Sequence, residues 1–213
     1  LSDMAIISEE LTKARREEIV SACAELYDVM PYKEITLGKI SARTSFTRTS
    51  IYNYFDTREE IFLALLEREY RCWTEDQKRI CENKSMTVDE FAEAFSSALS
   101  RRGRMLKLVS MNLYDLEAGS REENLTSFKR AYGEALQATR NCLARFFPSL
   151  TADEHTRFLY AVYPFMFGVY PYTAVTEKQK RAMESAGVKY ETYSVREITR
   201  SLVSALLNGF LNK

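Results

Sequence analysis

The chain has 213 residues, 46% hydrophobic and 28% charged, enough to bury one sizeable core or two modest ones. Thirty basic and thirty acidic residues cancel, so attraction to a polyanion must come from a local arrangement rather than from net charge. Seven Gly and four Pro are too few for a turn-rich β-sandwich, and one histidine without a paired-cysteine spacing leaves no usual transition-metal site.

Taken in chain order, the elements read as helices. Ile19, Ala22, Cys23, Leu26 and Tyr27 recur at helical steps within Glu9 to Val29, and Pro31 ends that run. Thr36 is placed to cap a short helix carrying Leu37 and Ile40, and Thr47 to cap another from Arg48 to Tyr54. Thr57 with Glu60 forms a capping-box pattern that opens a long helix to Cys81. Thr87 with Glu90 opens a helix striped by Phe91, Phe95 and Leu99. Met105 to Tyr114 reads as one short helix, and Glu122 to Phe147 as a long one ended by Pro148. Thr151 with Glu154 opens a segment to Ala174, and Gly187 can cap the polar stretch before it. The last helix spans Ser194 to Asn212. The predicted fold is all-α with about nine or ten helices.

The uncharged run Phe158 to Thr176 carries Pro164, Pro171 and several tyrosines and has no basic flank, so it reads as a buried helix rather than a membrane span. Being apolar on nearly every face, it should pack on two sides, with the prolines kinking or interrupting it. The start "LSDMAIISEE" lacks the basic flank and apolar core of a signal peptide, which implies a cytoplasmic location. Cys23, Cys72, Cys81 and Cys142 are then expected as buried free thiols, with Cys72 and Cys81 on opposite faces of one helix.

The stretch "RTSFTRTSIYNYFDTREE" holds the densest chemistry. At 100° per residue, Ile51, Tyr54 and Phe55 share one side of its helix, and Arg48, Thr49, Tyr52 and Asn53 the other. The first set can seat the helix. The second suits DNA: Arg pairs with guanine, Asn with adenine, and Thr meets a thymine methyl. Ser50 and Tyr52 can donate to phosphate oxygens. Lys39, Arg43, Arg48 and Arg58 face one acid, Asp56, across this region, a local excess of positive charge.

The run "ITLGKISARTSFTRTSIYNYFDTREEIFLALLE" closely resembles the DNA-binding region of the tetracycline-repressor-like (TetR) family of bacterial regulators. The likeness rests on Thr36, Ile40 with Ser41, the turn at Phe46 and Thr47, "IYNYF", and Arg58 followed by two acids. It implies a three-helix helix-turn-helix domain at 1–60 and a helical effector-binding and dimerisation domain at 61–213. By the same resemblance, Thr36, Thr47, Ser50, Tyr52, Tyr54 and Arg58 lie on the DNA backbone, and Arg48, Thr49 and Asn53 toward bases. Arg43 and Thr44 stand where the family usually has small alanines, so a further phosphate contact from Arg43 is an expectation outside the family pattern. One departure stands out, since the family's turn glycine is Ser45 here. Either Ser45 takes the left-handed conformation, costing about 1 kcal/mol, or the turn has another shape.

The resemblance implies a homodimer on a palindromic operator in duplex DNA, acting as a repressor, with a small, largely apolar effector and no cofactor. In the last helix, Val195, Ile198, Leu202, Leu206 and Phe210 form one stripe, and Val203, Leu207 and Leu211 a second, as a helix between its own core and a partner needs. Tyr70, Trp73, Met105, Phe128, Tyr132, Tyr163, Met166 and Tyr170 are the candidate effector lining, although such side chains also make ordinary core. Two other classes compete. An enzyme would need a nucleophile and base, yet His155 stands alone in a polar helix start. A helical adaptor would leave the outward Arg48, Tyr52 and Asn53 without purpose.

Overall fold

The structure, a computed structural model, describes residues 2–212, with side chains from residue 9 onward. Among the described residues it holds eleven α-helices and no strand. They are α1 (Ser2–Val29), α2 (Leu37–Ser41), α3 (Arg48–Ile51), α4 (Arg58–Cys81), α5 (Val88–Ser100), α6 (Gly103–Met111), α7 (Leu113–Ala118), α8 (Glu122–Phe146), α9 (Ala152–Thr173), α10 (Glu177–Ser185) and α11 (Val195–Leu211). The stretch expected as one helix over Met105 to Tyr114 divides into α6 and α7. Asn112, with φ −138° and ψ −9°, leaves helical geometry between them. No described helix is long and apolar enough to cross a membrane.

The chain forms two compact units. The first comprises residues to Arg68 together with Leu113–Arg130, and so reaches beyond the 1–60 segment read from sequence. Its core joins Ile19, Cys23, Leu26 and Tyr27 of α1 to Ile40, Ile51 and Phe55, and to Ile61, Phe62, Leu65 and Leu66 of α4, all buried. Tyr27 and Tyr32 both meet the Phe62 ring edge-on, at 5.4 and 4.8 Å between centroids. Leu113–Arg130 is fastened to the start of α4. The Thr57 hydroxyl donates to the Gly119 carbonyl at 2.8 Å. A Cβ at Gly119 would come within 2.8 Å of the Glu59 side chain, so this close approach requires glycine.

In the second unit α5 packs along α11, while α6 and α11 both pack along α9. Trp73, Phe95 and Phe158 meet edge-on at 5.0 and 6.2 Å. One buried carboxylate, Asp76, receives Arg79 at 2.8 Å and Arg102 at 2.7 Å. Unpaired it would be costly to bury; two guanidinium partners offset that cost. Capping boxes open α5 at Thr87 and Glu90 and α9 at Thr151 and Glu154, as expected, and also α10 and α11. Gly187, at φ +68°, closes α10, and the Val188 N–H bonds back to the Met183 carbonyl.

Two sequence expectations need correction here. First, Pro164 and Pro171 do not interrupt α9, which runs unbroken from Ala152 to Thr173. Both prolines are exposed, so the carbonyls they leave without an N–H, those of Tyr160 and Phe167, lie on the same open side. The helix is accordingly buried on one side only, through Phe158, Leu159, Val162, Tyr163, Met166 and Val169, while Tyr160 is 77% exposed. Second, not all four cysteines are free thiols. Cys81 and Cys142 are joined as a disulfide with Cα atoms 5.5 Å apart, and Cys23, buried, and Cys72, half-buried, stand outside it. Their 61-residue separation hid the pairing, because α4 and α8 must pack before the two sulphurs meet.

Candidate nucleic-acid interface

Two threonines shape the reading segment. The Thr36 hydroxyl accepts from the Lys39 N–H at 3.3 Å and starts α2. Thr47 accepts from the Ser50 N–H at 3.2 Å and starts α3, and its hydroxyl also meets Ser50 Oγ at 2.9 Å. The regular helix ends at Ile51, shorter than the expected Arg48 to Tyr54. Tyr52, Asn53 and Tyr54 carry the chain on through bonds to carbonyls three residues back, at 3.3, 3.2 and 2.9 Å. Such tightening is usual in a last helical turn.

The segment is seated by Ile51 and Phe55, both with no exposed surface. Truncating a buried isoleucine to alanine costs about 2–5 kcal/mol, so this seat holds firmly. Arg48, Thr49, Tyr52 and Asn53 all lie exposed on the opposite side, as the helical wheel predicts. Lys39 and Arg43 are exposed too. Arg43 pairs with Glu25 at 3.4 Å, a surface contact of little energetic weight that a phosphate can displace.

Tyr54 does what an amphipathic ring should. It packs against Phe46 at 5.9 Å between centroids, while its hydroxyl accepts from Arg15 Nη1 at 3.0 Å and keeps its own proton to donate. Arg58, expected on the DNA backbone, is engaged within the chain. Its Nη1 donates to the carbonyls of Tyr32 and Ile35, at 3.3 and 3.1 Å, and its Nε and Nη2 to Glu59. The guanidinium also lies 4.3 Å from the Tyr32 ring centre. Arg58 therefore fastens the Tyr32–Ile35 segment to α4. Burial and the neighbouring Glu59 push the Tyr32 phenol up to about 12, so it stays a neutral donor to that carboxylate.

The turn between α2 and α3 takes the second of the two shapes open to it. No described residue other than Gly187 has a positive φ, so Ser45 is not left-handed. Instead, Glu18 of α1 accepts from the Ser45 N–H at 2.6 Å and from its hydroxyl at 3.1 Å. The carboxylate holds the turn from outside, and the turn needs no glycine.

Sequence reasoning missed three side chains that position the segment: Glu18, Arg15 and Arg16. Arg16 stacks 4.2 Å from the Phe55 ring centre and donates to the Tyr54 carbonyl at 2.6 Å. All three stand on one turn of α1, and their exposure to one side of a helical wheel was the available signal. Glu60 was seen only as a capping residue. Thr57 does accept from the Glu60 N–H at 3.1 Å, but the Glu60 carboxylate reaches past the box. It accepts from the Asp56 N–H at 2.8 Å and from Arg121 Nε and Nη2 at 2.7 and 3.0 Å. Burial pushes this carboxyl up, but the hydrogen bonds from Arg121 and Asp56 outweigh it and hold it at about 2.

The candidate effector residues fall in both units. Phe128 belongs to the first. In the second, Tyr70 meets Tyr132 and Tyr132 meets Tyr163, edge-on at 5.4 and 5.8 Å between centroids. Trp73, Met105 and Met166 are fully buried, and Tyr170 is half-buried. A polar chain runs through this apolar surround. Gln77 Nε2 donates to the Ala135 carbonyl at 3.2 Å, the Thr139 hydroxyl donates to Gln77 Oε1, and Thr139 and Tyr163 share a bond of 3.1 Å. Burial pushes the Tyr163 phenol up to about 12, so it is neutral at any working pH.

The model of the tetracyclin repressor-like C-terminal domain family matches residues 67–213. Among solved structures, the fatty acid degradation regulator FadR from Bacillus halodurans is 14% identical with a TM-score of 0.59, covering 92% of this chain and 96% of its own. The transcriptional regulator FadR from Bacillus subtilis, in complex with stearoyl-CoA, is also 14% identical at 0.59, covering 91% and 98%. These likenesses show the fold. Comparison with curated proteins gives no match.

Proposed function

The chain belongs to the tetracyclin repressor-like family of transcriptional regulators, and we propose that it is a homodimeric, effector-released repressor that reads a palindromic operator in duplex DNA. The observation that carries this reading is the exposed set Arg48, Thr49, Tyr52 and Asn53 above the buried seat of Ile51 and Phe55. Arg48 and Asn53 supply the bidentate groups that distinguish bases in the major groove. Thr36, Thr47, Ser50, Tyr52, Tyr54, Lys39 and Arg43 act on phosphates and set register. Arg58 serves the same surface indirectly, by fixing the start of α4. The protein works where DNA is, in the cytoplasm.

Dimerisation is assigned to the outward sides of α9 and α11, which pack on each other. On α9 that side carries Tyr160, Pro164, Gly168 and Pro171, and on α11 the half-buried Ile198, Leu202 and Leu206 beside the exposed Ala205 and Gly209. Small residues let two helices approach closely, and apolar ones supply the burial that a stable interface needs. Val203 and Leu207, by contrast, are fully buried within the chain and serve its own core. The effector is a ligand with an apolar body, taken up among Tyr70, Trp73, Met105, Tyr132, Tyr163, Met166 and Tyr170. The stearoyl-CoA held by the Bacillus subtilis FadR supports that class of ligand. Release is transmitted along α4, which runs continuously from Arg58 to Cys81.

Selection of bound sequences from random duplex DNA tests the reading. An inverted repeat is expected, with half-sites about one helical turn or a multiple apart. Recovery of unrelated sequences without a palindrome would refute it.

A further inference from the structure

The disulfide has chemistry that the DNA-binding reading does not use. Cys142 is 2% exposed, whereas Cys81, the last residue of α4, is half-buried and lines an open cleft of about 380 Å³. Lys78, Glu82, Glu134, Gln137 and Asn141 line the same cleft. Cys81 is thus the more accessible residue of the pair and Cys142 the shielded one, the asymmetry that directional thiol–disulfide exchange uses. Lys78 is held by Glu75 at 2.7 Å, an exposed pair of little energetic weight that a ligand carboxylate can displace, and Glu82 and Glu134 can take an ammonium group, which suits a small zwitterionic thiol of the amino-acid or short-peptide class. The reduced state is also provided for. Cys142 Sγ lies 3.3 Å from the Gln77 carbonyl, so its S–H has an acceptor once the bond is open. Gln77 bonds to the Ala135 carbonyl and to Thr139, which in turn meets Tyr163, so the cross-link sits one turn of α4 from that network.

We propose that Cys81 and Cys142 form a reversible exchange site, with Cys81 meeting a low-molecular-weight disulfide and Cys142 resolving the mixed species. In the oxidising direction the Cys81 thiolate attacks one sulphur of the small disulfide and expels the other as a thiolate. The Cys142 thiolate then attacks Cys81 Sγ and expels the second. Two protein thiols lose two electrons and two protons, and one small disulfide becomes two small thiols. Reduction reverses both steps, with Cys81 attacked first because Cys142 is covered.

The test equilibrates the full chain with mixtures of reduced and oxidised glutathione, quenches with acid, blocks thiols, and maps peptides by mass. The cross-linked peptide pair containing Cys81 and Cys142 should go from absent to complete as the oxidised fraction rises. In Cys142→Ser, a glutathione adduct should accumulate on Cys81; in Cys81→Ser, Cys142 should remain unmodified. A cross-link absent at every ratio, or undiminished at the most reducing one, would overturn the proposal, as would an adduct favouring Cys142. A second arm rests on the DNA-binding reading: oxidised and reduced protein should differ at least threefold in affinity for selected DNA, since the bond ties down the end of α4. Equal affinities alongside a normal cross-link titration would overturn that regulatory consequence while leaving DNA binding intact.

Discussion

Replacing Glu60 with Gln keeps the size and one acceptor of a buried side chain, removes its charge, and turns the other acceptor into an N–H donor. Glu60 is 1% exposed and accepts two hydrogen bonds from the Arg121 side chain and one from its backbone N–H. Its carboxyl stands at about 2 against an ordinary 4.5, a difference worth roughly 3 kcal/mol at 1.36 kcal/mol per decade. Arg121 is 44% exposed, so water screens part of that, and the expected loss at neutral pH is about 1–3 kcal/mol. For a chain of this size that lowers the melting temperature by about 3–10 °C. The sign with pH follows from linkage. The folded value lies below the unfolded one, so the contribution is full above about pH 5 and fades as pH falls toward 2. Melting curves of wild type and Glu60→Gln, followed by circular dichroism, should therefore differ at neutral pH and converge in acid. A gap of constant size from neutral pH to pH 3, or no gap at neutral pH, would refute the assignment of this ion pair as a stabiliser of the α4 start.

Arg48→Ala and Asn53→Ala should each relax base preference at one position per half-site, at a cost of about 1–3 kcal/mol in binding, measured by repeating the sequence selection. Tyr52→Phe should instead weaken all sequences alike, and a changed consensus would reverse the division of roles. Leu202→Glu should yield folded monomers in the ultracentrifuge, whereas Leu207→Glu, which puts a charge into the chain's own core, should fail to fold; a folded Leu207→Glu would place that residue elsewhere. Effector titrated by Trp73 fluorescence should bind more weakly with operator present, by the same factor by which it weakens DNA binding, and equal affinities would exclude the coupling.

Much of the architecture was legible because it is local. Capping threonines, the apolar period and Pro148 place the start of α5 and both ends of α8 and α9 to within a residue or two, and the outward Arg48, Thr49, Tyr52 and Asn53 follow from 100° steps about a known seat. What escaped reading depends on chain segments brought together by folding. Glu18 reaches Ser45 across 27 residues, Arg121 reaches Glu60 across 61, and Cys142 reaches Cys81 across 61. The internal bonds of Arg58 were hidden for the same reason: a cation near DNA-facing residues looks free until Tyr32, Ile35 and Glu59 are folded around it. Which stripe of α11 faces inward was also hidden, since both are apolar and only packing against α5 and α9 distinguishes them.

Four helix starts of the second unit, those of α5, α9, α10 and α11, share one geometry but not one chemistry. In α5, α9 and α11 the group that reaches back to the cap N–H is a glutamate, Glu90, Glu154 or Glu197; in α10 it is the neutral amide of Gln179. The Thr87 and Ser194 N–H groups hold Glu90 and Glu197 below the usual carboxylate range, so those caps weaken only once the medium is acid enough to protonate them. Acid should then fray α5 and α11 from their first turns inward, and these are the two helices that pack against each other. Meanwhile α10, the most polar of the four, keeps its cap unchanged, so the protection of its first-turn amide protons should change less with acid than that of α5 or α11.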